Sequence, residues 1–178
     1  AGLGVLAGLK TGAGFEMVDG IAPFNADKAY KDSKLCNVLF ARELARRLSL
    51  RASDISVLAW APGLVIPRSK GGFFRYSRVN NEWGQRLFAL VVRDLLRLSE
   101  SVDNAGYLLM RLATEQAFNS ARFSYHSNSL NGPGHHLFEE ANVSVEAQDN
   151  SLAMSLWEQS AALIGLPAEL PPDSVSQC

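Results

Sequence analysis

The feature that most constrains the fold is a helix that feeds a strand through a short polar turn. From Ala26 to Leu50, apolar residues recur at helical spacing (Cys36, Leu39, Phe40, Leu44 and Leu48), with Arg42, Glu43, Arg46 and Arg47 interleaved on other faces. This pattern predicts an amphipathic helix, with Asn25 or Asp27 as its cap. The run Arg51-Ala52-Ser53-Asp54 then separates it from Ile55-Ser56-Val57-Leu58-Ala59-Trp60. That second run is short and mostly apolar on both faces, as a buried parallel strand requires. A helix returning to such a strand is the second half of a β-α-β crossover, which implies an α/β fold with a parallel sheet covered by helices. The strand stops abruptly at Ala61-Pro62-Gly63.

The rest of the chain is less periodic. Residues 1–25 are Gly- and Ala-rich, with Gly12, Gly14, Gly20 and Pro23 interrupting any element, and read as a long loop. A second loop is predicted over 64–81, where Phe73, Phe74 and Tyr76 stand among basic residues; loops of this length in compact domains often bind or cover ligands. Helices are predicted over 82–98 and 101–115, the second capped by Ser101 with Asp103 in its first turn. A short strand follows at Arg122 to His126, then a final helix over 146–164 and a flexible Pro-rich tail over 167–178.

Bulk properties remove several classes of function. With 178 residues, 47% of them hydrophobic, one core of ordinary size is expected. Seventeen basic and 18 acidic residues give a formal net charge of -1, so no broad positive field draws nucleic acid. Two cysteines, Cys36 and Cys178, read as free thiols in a reducing compartment. The longest apolar candidate, 87–98, is broken by Arg93, Asp94 and Arg97 and falls short of the roughly 18 to 20 residues that span a bilayer, so a soluble or peripheral protein is expected. The chain opens without Met and without a basic leader, and reads as starting inside a longer protein. His135-His136 lie side by side in a Gly/Pro loop and His126 adds no ligand at a recognised spacing, so no metal site is expected. The run Arg42 to Arg47 reads as the solvated face of its helix.

The chemistry-bearing feature is Ala29-Tyr30-Lys31-Asp32-Ser33-Lys34, at the start of the first helix. Residues four apart share a helix face, so Lys34 stands next to Tyr30. A phenol with an ordinary pKa of about 10 is a poor acid at neutral pH, and a fixed cation favours its anion and lowers that value. Such a phenol can deliver the proton that a carbonyl or activated double bond needs after receiving a hydride. The Pro62-Gly63 turn lies where an α/β sheet receives ligands, at the carboxyl end of a strand.

A Tyr/Lys pair opening a helix, followed by a strand ending in Pro-Gly, resembles the short-chain dehydrogenase/reductase superfamily. Within it, Ala29 to Asn37 is similar to the stretch around the catalytic pair of the light-dependent protochlorophyllide reductase family. The similarity continues in Leu3-Gly4, Gly8-Leu9, Gly72-Phe73-Phe74-Arg75, Ser101 to Gly106, Trp157-Glu158, Ser160, Leu163 and Gly165-Leu166.

The resemblance implies a Rossmann-type three-layer domain, of which residues 1–166 form the C-terminal, substrate-side half. It further implies NADPH as cofactor, protochlorophyllide as substrate, a light-started reduction to chlorophyllide in chlorophyll biosynthesis, and a chloroplast location. By the same resemblance Tyr30 is the proton donor, while Lys34 lowers its pKa and bonds the nicotinamide ribose. Pro62, Gly63 and the Val65 backbone lie along the nicotinamide, and Cys36 lies near the pigment; as a residue type, Cys36 equally suits a small core position. Three roles fit Phe73 and Phe74: clamping the tetrapyrrole, touching a membrane surface peripherally, or packing on the sheet. The reading leaves homo-oligomers open.

The family follows its Pro-Gly with Thr-Thr, whereas here Leu64 to Gly72 holds no threonine and Ser69 is its one hydroxyl. The family's glycine-rich phosphate loop, its 2′-phosphate-selecting residues and its catalytic Ser or Thr precede the stretch matched by Ala1. Two other readings fit the same residues: a light-independent reductase of a carbonyl or other lipophilic substrate, and a non-catalytic truncated relative.

Overall fold

The computed structural model describes residues 25–51, 54–68, 81–119 and 122–170. The expected N-terminal loop up to residue 24, the residues Phe73 and Phe74, and the end of the tail lie outside them. Four α-helices and three strands are assigned among the described residues: α1 (Ala26–Ser49), β1 (Val57–Ala61), α2 (Glu82–Ala89), α3 (Val102–Thr114), β2 (Phe123–Leu130), β3 (His136–Glu140) and α4 (Asn150–Leu163). The sheet order is β1-β2-β3, with β1 and β2 parallel and β2 and β3 antiparallel. The α/β class expected from sequence therefore holds, while the sheet is mixed. The sequence reading stopped the last strand at His126 and missed β3, whose His136-Leu137-Phe138-Glu139-Glu140 shows no clear alternation. β1 is half-buried at every position, less than its composition predicts.

The chain divides into two compact units. In the first (Ala1–Ala59, Ala121–Phe123, Asn142–Cys178), α1 packs against α4. Asn25, in extended conformation, caps α1 by accepting from the Lys28 N–H at 3.0 Å, and Arg46 and Arg47 occupy the last turn, where cations suit the helix dipole. The buried stripe is Asp32, Leu35, Val38, Leu39 and Ala45, at the three- and four-residue spacing of a helix face. On α4, Leu152, Ala153, Leu156 and Ala161 are buried, and Asp149 caps the helix through the N–H groups of Ser151 and Leu152, each at 3.0 Å.

The Arg42 to Arg47 run is not the solvated face that its charge suggests. Glu43 is 1% exposed and accepts from Arg46 Nη2 at 2.6 Å and Arg47 Nε at 2.7 Å. Arg42 donates to the Ala147 carbonyl and, at 3.0 Å, to Asn150 Oδ1, while Arg47 donates to the Ala168 carbonyl at 2.7 Å. The Arg42 and Arg47 guanidiniums thus serve as donors to backbone carbonyls, in charge-assisted hydrogen bonds. Residues 167–170 are held by the same means: Trp157 Nε1 also donates to Ala168 O at 2.6 Å, and Arg51 donates to Leu170 O. Trp157 in turn stacks on Phe40 at 5.1 Å between centroids and lies 4.9 Å from the Arg47 guanidinium.

In the second unit (Trp60–Ser120, Ser124–Ala141), the helix expected over 82–98 is α2 followed by a π-helical turn, Leu90–Leu95, which ends near Arg97 at a φ of 52°. Helix α3 begins at Ser101, whose hydroxyl accepts from the Asn104 N–H at 3.0 Å, and buries Ala105, Leu108 and Leu112. The β2–β3 hairpin pairs Leu130 with His136 and His126 with Glu140. Its buried face on β2 is polar, carrying Ser124, His126 and Asn128. His126 is packed by Phe118 and Phe138, at centroid distances of 5.1 and 5.7 Å.

Burial raises the Glu43 pKa, but the hydrogen bonds and charges of Arg46 and Arg47 outweigh it and hold the carboxyl below the ordinary range. The unfolded chain therefore binds this proton more readily than the native one. The contribution of Glu43 is complete above the unfolded value of about 4.3 and is lost as pH falls through the lower native value. Urea unfolding followed from about pH 6 to about pH 3 should show stability declining with pH, with a shallower decline in Glu43→Gln.

Candidate functional site

The first turns of α1 carry the predicted catalytic pair. Tyr30 is 41% exposed, Lys34 is exposed, and the Lys34 ammonium stands over the Tyr30 ring, 5.2 Å from its centroid. Helix geometry alone produces this: the two residues are four apart, and Asp32, two residues from each, points to the buried side at 0% exposure. Ser33 Oγ donates to the Tyr30 carbonyl at 2.7 Å, and Lys28 donates to Asp32 Oδ2. Cys36 lies one turn beyond Asp32 and is half-buried. Burial first, and then the nearby Asp32 charge, push its thiol up to about 11, so at neutral pH it is a protonated thiol and no thiolate nucleophile.

The Pro62-Gly63 turn belongs to the second unit. Gly63 has a φ of +80°, and a Cβ placed there would sit 2.6 Å from the Asn128 carbonyl oxygen. Glycine is thus required both by backbone conformation and by close approach. Gly63 and Leu64 are exposed, Val65 is half-buried and Ile66 is buried. The turn is tied down by Glu100: Val65 and Glu100 form a parallel bridge, and the Glu100 N–H donates to the Leu64 carbonyl at 2.7 Å. The Glu100 carboxylate, 8% exposed, accepts at Oε2 from Asn128 Nδ2 at 2.9 Å and Asn104 Nδ2 at 2.8 Å, and at Oε1 from the Ser101 N–H at 2.6 Å. Asn128 Nδ2 also donates to the Pro62 carbonyl at 3.4 Å, and His136 Nδ1 lies 3.8 Å from Glu100 Oε2. Burial raises the Glu100 pKa, but the three donors and His136 outweigh it and hold the group below the ordinary range.

Comparison with known proteins gives these residues a context. No protein-family model matches the chain. Protochlorophyllide reductase B, chloroplastic, of Hordeum vulgare is 30% identical over 165 residues, covering 92% of this chain and 38% of that protein. Protochlorophyllide reductase A, chloroplastic, of Oryza sativa subsp. japonica is 31% identical over 172 residues, covering 93% and 41%. The corresponding protein of Chlamydomonas reinhardtii is 31% identical over 170 residues, covering 94% and 40%. The curated homologues of this chain are protochlorophyllide reductases. It spans about two fifths of the length of these protochlorophyllide reductases. In fold, the chain is similar to an uncharacterized protein from Mycobacterium paratuberculosis, with a TM-score of 0.52, 23% identity, and coverage of 84% of this chain and 43% of that one.

The sequence reading singled out Tyr30, Lys34 and Cys36, now seen on α1 in the first unit, and Pro62, Gly63 and Val65, now seen in the second. It missed Glu100, Asn104 and Asn128. Part of the signal was present: Ser124, His126 and Asn128 alternate along β2, and a polar residue at every second strand position marks either solvent or a buried polar network. Glu100 gave less warning, because a carboxylate beside a helix cap is ordinarily a dipole partner. Gly63→Ala should destabilise the protein by about 1–3 kcal/mol, through left-handed backbone strain and the clash with Asn128 O, as read by denaturant unfolding.

Proposed function

We propose that this chain supplies the proton-donating half of an NADPH-dependent, light-started reduction of protochlorophyllide to chlorophyllide, in a plastid. The observation that carries the reading is the Lys34 ammonium over the Tyr30 ring on exposed turns of α1. Its agreement with the homologues' names supports the choice of substrate.

The residues fit a nicotinamide cofactor. Lys34 is an exposed cationic donor suited to ribose hydroxyls, and the turn at Gly63 and Leu64 is open to solvent. On this reading Lys34 bonds the ribose, and Pro62, Gly63 and the Val65 backbone lie along the nicotinamide. When bound, NADPH supplies the hydride to one carbon of the ring double bond. Tyr30 gives its phenolic proton to the neighbouring carbon, and the Lys34 charge stabilises the phenolate left behind. Cys36, protonated and half-buried, acts as an apolar neighbour of the pigment.

In the intact protein with NADPH and protochlorophyllide, chlorophyllide absorbance should appear on illumination, and Tyr30→Phe should slow its appearance about 100-fold or more. Equal turnover in darkness would refute the light-started reading. Equal turnover by Tyr30→Phe would remove Tyr30 from the proton step.

A further inference from the structure

The second unit holds a buried carboxylate that the proposed chemistry does not use. Glu100 sits between the cap and first turn of α3, at Ser101 and Asn104, and the strand residue Asn128, and its backbone and side chain act on the same turn. Its N–H holds the Leu64 carbonyl, and the bridge to Val65 extends that hold by one residue. Its Oε2 fixes Asn128, whose amide also reaches the Pro62 carbonyl and whose own carbonyl oxygen lies where a Gly63 side chain would go. Oε2 is shared by Asn104, and Oε1 is filled by the Ser101 N–H, so the carboxylate is locked to the start of α3. A buried carboxylate satisfied by this many donors is a rigid anchor; removing its acceptor capacity would leave buried amide donors unpaired. The turn itself keeps Gly63 and Leu64 exposed. An anchored turn presenting open backbone is the arrangement by which a scaffold fixes a ligand-facing segment without touching the ligand.

We propose that Glu100 is a positioning residue: through Asn128 and its own backbone it sets the conformation of the Pro62 to Val65 turn and thereby the affinity of that turn for the nicotinamide cofactor. This rests on the functional reading above for the identity of the ligand, and on geometry alone for the hold on the turn. Glu100→Gln preserves volume but turns an amide N–H₂ toward donors that now meet a carboxylate oxygen.

The test uses the intact protein and two readouts. Amide hydrogen exchange without ligand, followed at residues 64 to 66, should accelerate about tenfold or more in Glu100→Gln. The KM for NADPH should rise about tenfold while kcat changes less than about twofold. Leu112→Ala, which opens the α3 core, serves as the control: it should lower Tm and leave the NADPH KM in place. Unchanged exchange at 64 to 66 would overturn the hold on the turn. Accelerated exchange with an unchanged NADPH KM, or a rise in KM matched by Leu112→Ala at equal loss of stability, would overturn the cofactor role. A protein that takes up no NADPH would defeat the functional reading and the cofactor role together, and the exchange data would still show separately whether Glu100 holds the turn.

Discussion

The first unit depends on one buried stripe. Leu35, Val38 and Leu39 face inward on α1, and their burial fixes the rotation of the helix about its axis. Once that rotation is set, a residue two positions from Asp32 on either side must face away from the core, and Tyr30 and Lys34 are those residues. Core packing thus decides the exposure of the candidate catalytic pair. The far end of the helix is secured differently, by arginines. Arg42 and Arg47 reach backbone carbonyls at Ala147 and Ala168, and Glu43 pairs with both Arg46 and Arg47 from a buried position. A helix pinned at one end by apolar contact and at the other by charge-assisted hydrogen bonds has little freedom to roll, which keeps the pair's geometry constant.

The second unit solves a related problem with polar groups. Gly63 lies in a left-handed conformation against a strand carbonyl, and the network of Glu100, Asn104 and Asn128 holds the neighbouring backbone. Such a network gives a defined shape only when every member is satisfied, and both Glu100 oxygens are. The buried face of β2 is polar as well. Asn128 faces inward to serve Glu100 and Pro62, and Ser124 pairs with His126 at 3.2 Å.

Much of this was legible from the residues. The helical period of 26–50, the polar turn after it and the apolar run into Pro62-Gly63 specified α1, β1 and the α/β class, because each rests on strong local patterning. Ser101 was readable as a cap because hydroxyls satisfy helix N–H groups. The parts that escaped depend on distant partners. β3 was missed because His136, Glu139 and Glu140 carry no strand propensity, and pairing with β2 imposes the extended form. The switch to π-helix after Ala89 has no local marker in Leu90-Val91-Val92. The Arg42 to Arg47 run looked solvated because carbonyls more than a hundred residues away along the chain cannot be seen in a local pattern. The same limit hid Glu100, whose side-chain partner Asn128 lies 28 positions further on.

On the proposed reading, the two new hydrogens of the product have different origins: one is carried by NADPH and the other is the exchangeable phenolic proton of Tyr30. That division is the central claim, and isotope content reads it directly. The intact protein should be illuminated in D₂O with protochlorophyllide and ordinary NADPH, and the product returned to H₂O to wash out exchangeable sites before mass spectrometry. A single retained deuterium at the reduced carbons is the expected result. Two deuteriums, or none, would contradict a mechanism in which one hydride and one tyrosine proton complete the reduction.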